Sequence, residues 1–113
     1  MADLLKWTVV SGEEVVATLQ AQAKATGVAE GAIVSLIGAV ESCRISNMPA
    51  NDANEDIITE YSQPFEISGT GEIVDGRVHL HVSISGEGDA GIHGHLHEAH
   101  VKTWFVNAYV LAG

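Results

Sequence analysis

Two runs of alternating apolar and polar residues meet at Asp75-Gly76. Residues 65–74 and 77–84 both show the period-two pattern of a strand with one covered face. The Asp-Gly pair between them is the dipeptide that tight antiparallel hairpins favour, because both central positions of such a turn need positive φ. A hairpin of this kind commits the chain to an antiparallel sheet with an inner and an outer face. Further strands are predicted at 4–10, 32–40, 57–62, 92–97 and 101–111. The turn Ser85–Gly91 is short, so the strands on either side of it are expected to pair antiparallel.

One helix interrupts this pattern. Ser11-Gly12-Glu13-Glu14 has the form of a capping box, with a Glu three residues after the Ser. Val15, Val16, Leu19 and Ala23 then fall along one stripe, and Gly27 stands where a helix stops. Gly38, inside the apolar run 32–40, points to a bulge or a close backbone approach. Residues 47–56 read as a polar, acidic loop. The fold class is α+β: a single domain with a mostly antiparallel sheet and one or two helices. The final segment, 101–113, is apolar to its end, and an unpaired strand of that kind predicts self-association.

Within this frame, five of the six histidines lie between residues 79 and 97, as His79-Leu80-His81 and His93-Gly94-His95-Leu96-His97. Alternation puts each run's imidazoles on one face of its strand. Imidazole is both a metal ligand and a group that titrates near neutral pH, so the pattern points to a metal site or a pH-sensitive polar cluster. Residues two apart along a strand are about 6.6–7 Å apart, so all five cannot hold one ion. His100 lies beyond the run and reads as a surface residue. Glu98 points away from His97 on a regular strand and serves as a general base only if a bulge turns it inward. Cys43 reads as a buried structural thiol, and Trp104, Phe105 and Tyr109 as core or subunit interface. The glycine-rich turn 85–91 lacks the spacing of a phosphate-binding loop.

Composition excludes several roles. The net charge is −10, and the five basic residues, Lys6, Lys24, Arg44, Arg77 and Lys102, include no sequence neighbours. Nucleic-acid binding draws its affinity from basic groups, so direct DNA binding is disfavoured. No apolar stretch approaches the ~20 residues of a membrane helix, and no signal peptide is visible. A single cysteine fits a reducing cytoplasm.

The chain resembles the PPC domain family, the plant-and-prokaryote conserved domain. Ser11-Gly12-Glu13, the strand Ser35–Glu41, Pro64-Phe65-Glu66-Ile67 and the following glycines carry the resemblance. His79-Leu80-His81-Val82-Ser83 resembles the family's H-x-H-V-S strand, and Gly94-His95-Leu96 its G-G-H-L motif, with His93 replacing the first glycine. The chain also ends sooner after that motif than many members do. The resemblance implies a PPC-like domain assembling as a homotrimer, with a divalent metal, Zn²⁺ expected, on His79, His81 and His95. His97 and His93 then remain as an additional ligand, an outer partner of the ligands, or lining of the site's mouth. It also implies assembly and small-molecule or protein partner binding as the role. The family's AT-hook core, Arg-Gly-Arg-Pro, is absent. The alternatives are a small metal-dependent hydrolase or lyase using metal-bound water, and a DNA-associated regulator. No catalytic set accompanies the histidines, which favours binding over turnover.

Overall fold

The computed structural model describes residues 3–113. Its elements are β1 (Leu4–Val9), α1 (Val15–Thr26), β2 (Gly31–Val40), β3 (Ser42–Asn47), β4 (Ile57–Tyr61), β5 (Phe65–Val74), β6 (Arg77–Ser85), β7 (Gly91–His100) and β8 (Val106–Ala112). The eight strands form one sheet in the order β1-β8-β2-β5-β6-β7-β3-β4, and every named pair is antiparallel. The fold is the expected α+β architecture, with one helix.

The β5–β6 turn is the anticipated tight hairpin: Asp75 and Gly76 both take positive φ, 51° and 76°. Helix α1 ends at Gly27, which adopts the left-handed conformation at φ 71° and donates its N–H to the helix's last carbonyls. Val15, Leu19 and Ala23 are fully buried and lie over the sheet's inner face with Val9, Leu80, Leu96 and Ala99. Gln20 ties the helix to the hairpin, donating to the Gly76 carbonyl and accepting from Val78 N–H at 2.9 Å.

Four features depart from the sequence expectation. The helix cap is Glu14, not Ser11: its carboxylate accepts from the N–H groups of Val16 (2.9 Å) and Ala17 (2.8 Å). The capping box fails because residues 11–13 are tied elsewhere. Gly12 donates to the Val101 carbonyl, Val101 donates to that of Glu13, and the Glu13 carboxylate accepts from Val10 N–H. Strand β3 was not anticipated; its composition is that of a polar connection. The segment 101–111 is not one strand. Its first residues form a bend, and the Glu41 carboxylate holds that bend by accepting from Lys102 N–H at 2.9 Å and Thr103 N–H at 3.0 Å. Strand β7 runs on to His100 because the Glu14 carboxylate and the Glu41 N–H both bind its end.

Gly38 marks a close approach. A Cβ there would collide with the Phe105 carbonyl, which accepts from Ala39 N–H at 3.0 Å.

Candidate metal centre

Strands β6 and β7 pair directly, so the two histidine runs are sheet neighbours, with His81 opposite His95. Alternation sends Leu80, Val82, Ile84 and Leu96 into the core and His79, His81, His93 and His95 to the outer face. That face, which α1 does not cover, is organised in cross-strand rows. One row reads Thr70, His81, His95, Ser46, Ile58 across β5, β6, β7, β3 and β4; the next reads Ile37, Ser68, Ser83, His93 across β2, β5, β6 and β7.

Among the described residues, His79, His81 and His95 form a group whose ligand nitrogens all lie within 4.8 Å of one another. Ring centroids are 4.8 Å apart for His79–His81, 4.9 Å for His79–His95 and 6.0 Å for His81–His95. Nitrogens sharing a tetrahedral ion at about 2.0–2.1 Å stand roughly 3.3 Å apart, so small side-chain rotations suffice to close the group. The donor set fits a borderline divalent cation, since neutral imidazoles are the ligand form. His95 is held toward that neutral form: burial lowers its pKa, and the neighbouring His97, His79 and His81 lower it further, against a small opposing effect of Asp56. Glu72, directly opposite His79 in register, places a carboxylate oxygen 3.6 Å from its Nδ1. A carboxylate beside a ligand imidazole is the kind of outer partner that orients the ring.

The other two histidines each meet a serine hydroxyl, and the His97 ring also packs against that of His95, with centroids 4.7 Å apart. His93 Nδ1 lies 2.6 Å from the Ser83 hydroxyl, and His97 Nε2 lies 2.8 Å from that of Ser46. His97 is the extra residue of a bulge: Arg44 pairs with Glu98, but Ile45 pairs with Leu96. The bulge breaks alternation, so Glu98 does leave the core side. Its carboxylate reaches Arg44 (3.8 Å) and His100 (3.9 Å), and it is not part of the three-histidine group.

A groove of about 1000 Å³ opens beside His81 and His95 along the outer face toward β2. Asp56, at the end of the acidic loop, lines it, and nothing in the sequence pattern separated this carboxylate from its neighbours. Cys43 is buried, as expected for a structural thiol, and burial pushes its pKa up to about 11. Trp104 and Phe105 are 65% and 45% exposed, which removes them from the core.

Together these features define a histidine-bearing α+β module with an open groove beside the triad. The chain belongs to the Plants and Prokaryotes Conserved (PCC) domain family, whose model matches residues 6–112. It is similar in structure to a plant- and prokaryote-conserved protein from Pyrococcus horikoshii, at 26% identity and a TM-score of 0.81, covering 100% of this chain and 83% of that one. A metal-containing protein from Archaeoglobus fulgidus is similar at 25% identity and a TM-score of 0.77, covering 98% and 81%. A hypothetical protein from Salmonella enterica shares the fold at 19% identity and a TM-score of 0.85, covering 99% and 78%. No curated protein matches the chain significantly in sequence. No helix among the described residues is long and apolar enough to cross a membrane.

Proposed function

We propose that this chain is a metal-binding PCC-domain module. In this reading it assembles as a homotrimer in the cytoplasm and holds one divalent ion, Zn²⁺ foremost, on His79, His81 and His95. The observation that carries the reading is the convergence of three imidazoles from paired strands within 4.8 Å. The metal-containing Archaeoglobus relative supports it. Three protein ligands leave coordination open for a further ligand, which suits a module that presents a metal to a small molecule or a partner. The apolar side chains left exposed at the β1–β8 end of the outer face, Leu4 and Leu111, support self-assembly.

The test is metal analysis of untagged protein expressed with zinc. One equivalent of metal per chain is expected, falling to a trace in His81→Ala, with a mass in solution of three 11.9-kDa chains. A metal-free wild type under these conditions overturns the metal assignment, and a monomeric mass overturns the assembly.

A second reading, a small metal-dependent hydrolase or lyase, is favoured by one observation. Asp56 and the His93–Ser83 pair line the same groove as His81 and His95, and would supply proton-transfer groups beside metal-bound water. Loss of turnover in Asp56→Asn with metal content unchanged would support it, once a substrate is in hand. DNA is a poor partner for a domain of net charge −10 whose groove, among the described residues, is lined by no lysine or arginine. Retention of duplex DNA at low salt would contradict this.

A further inference from the structure

The charge inventory of the groove selects what fits it. Among the described residues no lysine or arginine lines it, and Asp56 contributes a negative charge. A divalent ion on the histidine triad would then be the only positive centre. Such a site attracts one anionic group and repels a second, so nucleotides, phosphosugars and dicarboxylates are poor candidates. Away from the histidines the groove turns apolar. Val34 and Ile37 of β2 line it and are 44% and 55% exposed, with the hydroxyls of Ser68 and Thr70 between them and β6. Strand β2 lies two strand spacings, about 9.5 Å, from β6, so a ligand anchored at the triad reaches Ile37 with a short alkyl chain.

From this we infer that the groove binds a small monocarboxylate, its carboxylate on the metal and its hydrocarbon tail over Val34 and Ile37. The inference rests on the metal reading above. Carboxylate oxygen is an established zinc ligand, and the tail adds affinity by burying apolar surface that is otherwise in water. Full burial is worth a factor of about four per methylene, and an open groove delivers roughly two to three.

The experiment uses the whole chain loaded with Co²⁺, whose visible absorption reports the metal's ligands. Acetate, butanoate and hexanoate are titrated in turn, then phosphate and citrate. A saturable spectral change is expected with each monocarboxylate. Affinity should rise about two- to threefold per added methylene, and phosphate and citrate should bind more weakly than hexanoate. Ile37→Thr, which keeps a β-branched residue in the strand, should flatten the chain-length trend. A Co²⁺-loaded protein whose spectrum ignores carboxylates, or whose affinity is independent of chain length, overturns the inference and leaves the metal site standing. Stronger binding of citrate or phosphate also overturns it. Failure to bind Co²⁺ at all removes both readings. If Ile37→Thr instead changes the oligomer mass, Val34 and Ile37 belong to an interface between copies of this chain, and the carboxylate inference falls.

Discussion

Gly94→Ala should loosen both the sheet and the metal site. Position 94 lies between His93 and His95 on β7, and a Cβ there would point at β3. It would stand 2.6 Å from the Ser46 carbonyl oxygen and 2.9 Å from Asn47 Nδ2, and would overlap the buried Ile45 side chain. The exposed Asn47 side chain can swing aside, but the other two neighbours cannot: the Ser46 carbonyl is ladder backbone, and Ile45 is fixed in the core. The strands must therefore separate. Overpacking of this kind costs about 1–3 kcal/mol, offset by roughly 0.4–1 kcal/mol from a less flexible unfolded chain. A net loss of about 1.3 kcal/mol is expected. At ~2.1 cal/mol/K per residue the unfolding entropy of this domain is roughly 0.24 kcal/mol/K, so Tm should fall by about 5 °C. Because His95 follows directly, its shift away from His79 and His81 should weaken metal binding by at least about tenfold. Thermal melts of metal-free protein, with Zn²⁺ titration alongside, measure both quantities. The counterpart is His93→Gly. Position 93 faces outward and contacts Ser83, so this change should cost no more than about 1 kcal/mol. If Gly94→Ala melts within about 2 °C of wild type and binds Zn²⁺ equally well, the steric argument is wrong.

Further outcomes follow from the same geometry. Glu72→Gln should weaken metal binding about tenfold with little change in Tm, because the exposed carboxylate orients His79 rather than holding the fold; equal affinity in the variant refutes that role. Stability of the metal-free protein should fall on acidification. The pKa of His95 is lower in the folded chain than its ordinary value of about 6.5, so the unfolded chain binds more protons just below pH 6.5 and stability rises with pH through that window. The Glu41 carboxyl, held low chiefly by the Thr103 hydroxyl and by backbone N–H groups, acts in the same direction at lower pH. Melts at about pH 5.5 and 7.5 should therefore differ, and His95→Gln should narrow the gap; an unchanged gap would rule out His95 as its source. Cys43, with a pKa of about 11, should resist iodoacetamide near pH 8 until the protein is unfolded, and rapid labelling of native protein would contradict its burial.

Much of the fold was legible because local signals and sheet register agreed. Asp75-Gly76 fixes the β5–β6 register, and with it the placing of His79 opposite Glu72 and His81 opposite Thr70. Strand β3 escaped because its visible character is polar: Ser42, Arg44 and Ser46, the last of them buried, lie on the outer-face side, leaving Cys43 and Ile45 to mark the core side. The replaced glycine of the family motif also has a structural account. Position 93 opens onto the outer face and accepts a side chain, whereas position 94 is closed by β3.

The choice of three histidines among five was the part no spacing rule could settle, since His93, His95 and His97 share one parity. Register settles which meet which. Ser83 lies directly opposite His93, and its hydroxyl engages that ring's Nδ1 at 2.6 Å. Ser46 pairs with His95 in the ladder, but the bulge at His97 rotates β7 so that His97, not His95, takes the Ser46 hydroxyl at 2.8 Å. His95 is thereby left without a hydroxyl partner, and its ring stands 4.7 Å from that of His97, 4.9 Å from that of His79 and 6.0 Å from that of His81. Each outlying imidazole spends one nitrogen on a serine from another strand, and those serines lie 51 and 10 residues away in sequence. Selection among the histidines is therefore a property of pairing and of one bulge, which alternation within a single strand does not encode.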